Sequence, residues 1–273
     1  KCENFQKTGA FKFRGATNAV ELLTEPESGV ATHSSGNHGA ALAAAATARG
    51  IPAHIVVPKN ATTVKLAAVE HYGGQVALCE PTLEARETTL ERVVKETGAV
   101  FVPPFDHPHI IAGQGTAALE LLEEVKGLDA VIAPVGGGGL VSGTGIVVKE
   151  LCPEAEVFAA EPEQADDAAR SFRSGKIEPA NSNTIADGLL TSLGPLTFQA
   201  IRETVTDVIT VSEAEIVAAL RMVWERMKIV IEPSSAVPVA AVLKDERFKG
   251  KRLGVILTGG NVDLKGLAEI LAD

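Results

Sequence analysis

Four short apolar runs constrain this chain most: AHIVVP (53–58), AVIAPVG (130–136), EVFAAEP (156–162) and LGVILTGG (253–260). Each is too short and too evenly apolar to be an amphipathic helix, and longer stretches of helical period separate them. That alternation predicts parallel strands buried on both faces, with helices as the crossovers: an α/β fold of open, mostly parallel sheets flanked by helices. AALAAAATARG (40–50) reads as an alanine-rich helix stopped by Gly50, and PTLEARETTLERVVKETG (81–98) as an amphipathic one stopped by Gly98. No internal repeat or low-complexity linker stands out. The 273 residues leave room for one large domain or two lobes, each with its own core.

Several function classes fall away on composition. Twenty-five Lys and Arg stand against 35 Asp and Glu, a formal charge of −10, and no basic run tracks a phosphate backbone, so nucleic acid is not an expected partner. No apolar stretch approaches the ~18 residues of a membrane span, and the start has no signal-peptide pattern. Cys2, Cys79 and Cys152 are too few and scattered for a disulfide framework or a paired-cysteine metal site. These features together predict a cytoplasmic protein.

Chemistry concentrates in three glycine-rich turns. APVGGGGLVSGTG places Gly136, Gly137, Gly138 and Gly139 after a strand and before a helix-compatible run, where converging N–H groups would cradle an anion. The lysine of a nucleotide P-loop is absent and the dinucleotide glycine spacing is wrong, which points to a single phosphate; a tight turn without ligand is the alternative. THSSGNHGAA (32–41) sets Ser34, Ser35, Asn37 and His38 at the head of the alanine-rich helix, suited to a carboxylate, or else ordinary helix caps. LTGGNVD (257–263) again ends a strand with a hydroxyl and two glycines. Three such turns at strand ends suggest a ligand bound across the carboxyl edge of an open sheet. In QKTGAFKFRGA (6–16), Lys12 stands between Phe11 and Phe13, either a surface lysine covering apolar neighbours or something less ordinary.

KTGAFKFRGA, SSGNHG, VGGGGL, EPSSAV and TGGNVD occur in the order seen in pyridoxal-phosphate enzymes of fold type II, the tryptophan-synthase-β fold. Over nearly the whole chain the sequence resembles the serine racemase and serine/threonine dehydratase family. The resemblance implies a two-lobed α/β protein: a large cofactor-binding domain of residues 1–28 and 109–273 and a small domain of residues 29–108, with the cofactor between them. It implies that Lys12 forms the Schiff base with the cofactor aldehyde, its amine kept neutral by a partly desolvated pocket. Gly136, Gly137, Gly138 and Gly139 match the phosphate cup, Asn37 the amide on the phenolic oxygen, and Thr258 the hydroxyl at the pyridine nitrogen. Many relatives carry serine where Thr258 stands, a mild departure because the hydroxyl survives. Ser35 matches the serine that faces the lysine from the other side of the cofactor in racemases, where two faces require two acid/base groups.

Ser34, Ser35, Asn37 and His38 then match the loop that holds the substrate carboxylate, with Arg86 and Thr191 as further substrate contacts; Arg86 also reads as a surface helix arginine. Glu161, the carbonyl of Ala165 and Asp167 match a divalent-ion site, and oxygen-only ligation suits Mg²⁺ or Ca²⁺. The two acids alone could serve as helix-dipole partners. Family members carry a strand and a helix ahead of the segment that opens this sequence. Lys7 and Asn261 match parts of an ATP effector site, and a homodimer is implied. The expected function is a serine racemase with serine dehydratase activity on L-serine. A dehydratase of L-threonine or threo-3-hydroxyaspartate is the nearer alternative, and a non-catalytic amino-acid sensor the remoter one.

Overall fold

The computed structural model describes residues 1–180 and 183–271, without the side chains of residues 265, 269 and 270; the expected end of the large domain at residue 273 lies outside them. The chain divides into two compact units, Lys12–Gly113 and Lys1–Phe11 with Gln114–Asp273.

In the unit Lys12–Gly113, α1 (Lys12–Glu21) is followed by β1 (Val30–Thr32), α2 (Asn37–Arg49), β2 (Ala53–Pro58), α3 (Thr63–His71), β3 (Gln75–Cys79), α4 (Leu83–Thr97) and β4 (Val100–Phe101). The strands form a sheet of order β3-β2-β1-β4, all parallel, with Val30 opposite both Ala53 and Val100. The strand expected over 53–58 is β2 residue for residue. Both expected helix stops hold: Gly50 and Gly98 cap α2 and α4 in the left-handed region, φ 76° and 74°. One core packs Leu42, Ile55, Val57, Val69 and Ile110 between α1, α2 and the sheet, and the alanines of α2 let the helix lie close. On the other face Val56, Leu90 and Val93 seat α4.

Helix α5 (Pro108–Glu124) carries the chain into the second unit. There β5 (Ala130–Pro134), α6 (Gly139–Leu151), β6 (Glu156–Pro162), α7 (Asp167–Ser174), α8 (Pro195–Thr204), β7 (Asp207–Val211), α9 (Glu213–Met227), α10 (Pro233–Lys244), β8 (Leu253–Val255) and α11 (Leu264–Ile270) follow. The sheet order is β7-β6-β5-β8, again all parallel, with Ala130 opposite Glu156 and Leu253. Every residue of β5 is buried, which is why its sequence shows no alternation. The strand expected over 253–260 is shorter. After Val255 the chain makes single bridges, Cys2 with Leu257 and Ala10 with Gly259, and Phe11 N–H donates to the Thr258 carbonyl at 2.9 Å. Cores on the two faces of the sheet gather Val131, Val141, Val157 and Ile201 on one side, and Ile132, Phe158, Leu220 and Val237 on the other. The α/β class with parallel sheets and flanking helices is thus the one the sequence pattern predicts.

Ile132 is 1% exposed in the second of these cores, so Ile132→Ala removes methylenes from a site that rigid strands keep from collapsing. Urea denaturation should show a loss of about 2–5 kcal/mol with the fold retained.

Candidate active site

In the unit Lys12–Gly113, Lys12 opens α1, is half-buried, and donates from Nζ to the Pro104 carbonyl at 2.6 Å. Its flanking phenylalanines are both partly buried, but against cores: Phe11 against the cluster of Val131 and Val141, Phe13 against that of Leu42 and Ile55.

The SSGNHG turn runs from β1 into α2. The N-cap position is taken by Gly36, which has no side chain with which to cap. None of Ser34, Ser35 and Asn37 occupies the N-cap position. Asn37 is the first helical residue, and the N-terminal end of α2, where helix N–H groups point outward, is electrostatically suited to a carboxylate. Gly39 fixes the bend: a Cβ there would lie 1.9 Å from the Ser34 carbonyl oxygen, a backbone contact that nothing can relieve by rotating. Ser34, Ser35 and Asn37 are half-buried.

His38 departs from its neighbours. It is 2% exposed, and its Nε2 lies 3.0 Å from the Val102 carbonyl. A carbonyl accepts, so Nε2 carries the proton, and Nδ1 is a buried atom with no partner. Burial, then the nearby Lys12, push its pKa down to about 3 against the pull of the Val102 carbonyl. The ring is a neutral strut holding the loop to the chain after β4. Arg86 lies on α4 with its Nε buried and unpartnered, close enough to Cys79 to oppose the rise that burial causes in that thiol.

In the other unit, β5 ends at Pro134, and Gly136, Gly137, Gly138 and Gly139 are all buried. Gly138 is the N-cap of α6 at φ 87°, again without a side-chain cap. A Cβ there would meet Leu193, Thr197 and Ile201 at 2.9–3.0 Å, so both conformation and packing demand glycine. The first intrahelical bond runs from Ser142 N–H to Gly138 O at 2.9 Å, leaving the preceding amides for an anion. Thr258, 3% exposed, pairs its Oγ1 with Ser235 Oγ at 2.9 Å. Thr191 lies on an exposed bend after Leu190. Ser235, in EPSSAV, is a further buried polar residue, and a hydroxyl in a helix otherwise apolar at its start is the sequence signal for it.

Glu161, at the end of β6, is 1% exposed and accepts from the N–H groups of Ala168 and Ala169 at 3.0 and 2.9 Å. Asp167 is fully buried, and its carboxylate oxygens make no hydrogen bond of ordinary geometry, the main-chain N–H groups of Asp167 itself and Leu193 being the donors near them. Burial pushes Glu161 up to about 9 and Asp167 up to about 6, directions a cation would reverse. Ala165 is buried between them in sequence. No group of three or more His, Cys, Asp or Glu side chains placed to hold a metal ion occurs among the described residues. A buried carboxylate without a well-formed hydrogen bond beside a held one fits the chemistry of a hard cation.

The family described as pyridoxal-phosphate dependent enzyme matches residues 1–259. The chain belongs to that family. Serine racemase of Dictyostelium discoideum is 54% identical over 280 residues, spanning 99% of this chain and 86% of that protein. Beta-hydroxyaspartate dehydratase of Paracoccus denitrificans is 54% identical over 271 residues, 98% of this chain and 86% of that protein. The crystal structure of the Dictyostelium discoideum racemase superposes with a TM-score of 0.92 at 54% identity, covering 96% of this chain and 87% of that one. This chain is therefore a pyridoxal-phosphate-dependent enzyme, and its residues fit the cofactor: a half-buried lysine amine, a glycine-only bend at an uncapped helix start, and a buried hydroxyl at Thr258.

His38 gives this family member a pH signature. Its folded pKa is depressed from 6.5, so its contribution to stability is fully present above pH 6.5 and is lost as pH falls from there toward about 3, at up to ~1.4 kcal/mol per unit. His38→Gln keeps an N–H for Val102 and removes the titration. Its unfolding free energy should fall less steeply than that of the parent between pH 6.5 and 4, with His54 and His107 common to both.

Proposed function

We propose that this enzyme is a serine racemase that also eliminates water from L-serine to give aminoacrylate, which water then hydrolyses to pyruvate and ammonia. Bound pyridoxal phosphate supplies an electron sink for negative charge at the substrate Cα. Lys12 would hold the cofactor aldehyde and later carry the Cα proton on Nζ. Ser35, on the loop before an uncapped helix, would deliver a proton to the opposite side of Cα from Oγ and so invert the centre. The leading N–H groups of α2, with Ser34 and Asn37, would hold the substrate carboxylate, and Asn37 the cofactor's phenolic oxygen. Gly136, Gly137, Gly138 and Gly139 would take the phosphate, and Thr258 the ring nitrogen. Arg86, with its buried unpartnered Nε, and Thr191, on its exposed bend, stand as further substrate contacts. Elimination follows when the β-hydroxyl leaves before the proton is returned.

The single observation that carries this reading is the amine of Lys12, withdrawn from the surface to a main-chain carbonyl at the head of a helix. The Dictyostelium relative supports serine as substrate, and the Paracoccus relative supports hydroxyaspartate elimination as the competing outcome. Glu161, Asp167 and the Ala165 carbonyl would bind Mg²⁺ or Ca²⁺ in a structural role. A homodimer in the cytoplasm and an ATP effector touching Lys7 and Asn261 complete the proposal; no helix among the described residues is long and apolar enough to cross a membrane.

Ser35→Ala should lower D-serine formation by ~10²-fold or more while pyruvate formation from L-serine persists. Retained racemisation would remove Ser35 from its role. Turnover of threo-3-hydroxyaspartate with no D-serine from the parent enzyme would replace the racemase reading with the dehydratase one. For the cation, millimolar Mg²⁺ or Ca²⁺ added to chelator-treated holoenzyme should raise Tm by a few degrees, and Asp167→Asn should abolish the rise.

A further inference from the structure

The backbone leaves its ordinary range at Thr8, a β-branched residue held at φ 65° and ψ 9°. Crowding of Cβ against the following carbonyl disfavours that left-handed conformer by about 5- to 30-fold. The other non-glycine of this kind among the described residues, Lys228 at φ 60°, closes α9, where a left-handed residue is common. Thr8 instead stands four residues ahead of Lys12. It is 6% exposed and its Oγ1 makes no hydrogen bond, so no polar contact of its own side chain offsets the strain.

The turn after β8 holds it. Asn261 Nδ2 donates to the Thr8 carbonyl at 2.7 Å, and Gly260 N–H donates to the Gly9 carbonyl at 2.9 Å. Ala10 bridges Gly259, and Phe11 N–H donates to the Thr258 carbonyl at 2.9 Å. These contacts run antiparallel, residue 8 with 261 through residue 11 with 258, so that TGAF is fastened to TGGN along its length. Gly9 belongs to the same fit: its φ is 71°, and a Cβ there would lie 2.5 Å from Asn261 Oδ1. Were Thr8 to relax, the peptide between Thr8 and Gly9 would rotate and carry the Thr8 carbonyl away from Asn261. The chain would then enter α1 by another path.

We propose that Asn261 is a positioning residue: its amide locks Thr8 in the left-handed conformation and thereby fixes the path of the chain into Lys12. The inference rests on the reading that Lys12 carries the cofactor. It gives the asparagine of TGGN a task within the enzyme itself, apart from any effector.

The test follows the absorbance of the lysine-linked cofactor, with the release rate taken from holoenzyme on dilution and Kd from retitration of the stripped enzyme with pyridoxal phosphate. Asn261 lies at the surface, so Asn261→Ala leaves the cores intact. It should raise the cofactor Kd about 5- to 10-fold and speed release, because strain without its restraint persists only in a minority of molecules. Glycine takes the left-handed conformation at no steric cost, so Thr8→Gly with Asn261→Ala should return Kd to within about 2-fold of the parent. Thr8→Val keeps the β-branch and discards only a hydroxyl without a partner. Combined with Asn261→Ala, it should bind as weakly as Asn261→Ala alone.

A parent-like Kd in Asn261→Ala, or a loss that Thr8→Gly does not relieve, overturns the inference. Borohydride reduction that still labels Lys12 then leaves the cofactor reading standing, whereas a label elsewhere overturns that reading as well. Should Asn261→Ala not fold, recovery of a folded holoenzyme by Thr8→Gly and not by Thr8→Val supports the inference, and recovery by both or by neither ends it.

Discussion

A parallel strand covered by helices on both faces must satisfy its peptide groups within the sheet and has no polar face on which to carry chemistry. β5 meets that condition along its full length, with every residue buried, and β6 nearly so. Polar function is displaced into the segments beyond the carboxyl ends of the strands. There the SSGNHG loop follows β1, the four glycines follow β5, Glu161 and the Ala165 turn close β6, and Thr258 follows β8. The polar residues of this enzyme gather where its sheets run out of ladder.

What those segments share is a restraint on competing partners. Helices α2 and α6 both start without a side-chain cap, although serine and asparagine lie within a residue or two of the first start. Both N-caps are glycine, which costs only about a few tenths of a kcal/mol against a serine or asparagine cap. Gly39 and Gly138 enforce this geometry, because a side chain at either would drive the loop off its own backbone or off α8. The buried hydroxyls of Ser235 and Thr258 are likewise fixed by their neighbours, with main-chain groups of Gly259 and Glu232 as the frame. His38, held neutral, braces the loop without adding charge beside it.

Much of this was legible before any coordinates. The runs at 53–58 and 156–162 coincide with β2 and β6, since strands buried on both faces announce themselves by unbroken apolarity. The run at 130–136 is cut at Pro134, where its glycines begin the bend, and the run at 253–260 leaves the ladder at Val255. β1 and β4, three and two residues long, carry too little pattern to be read. The motif order named the family, which the match over residues 1–259 establishes.

The sequence by itself determined the alternation of strand and helix, the glycine stops and the identity of the chemical groups, because these depend on local propensity and on side chains being present at all. Tertiary structure decided how each group is used. Only packing could bury His38 against Val102, draw Lys12 to Pro104, strip Asp167 of well-formed hydrogen bonds and bring Ser235 to Thr258 from 23 residues away. Hydrogen-bond direction and burial are properties of neighbours, and neighbours distant in sequence leave no local mark on it.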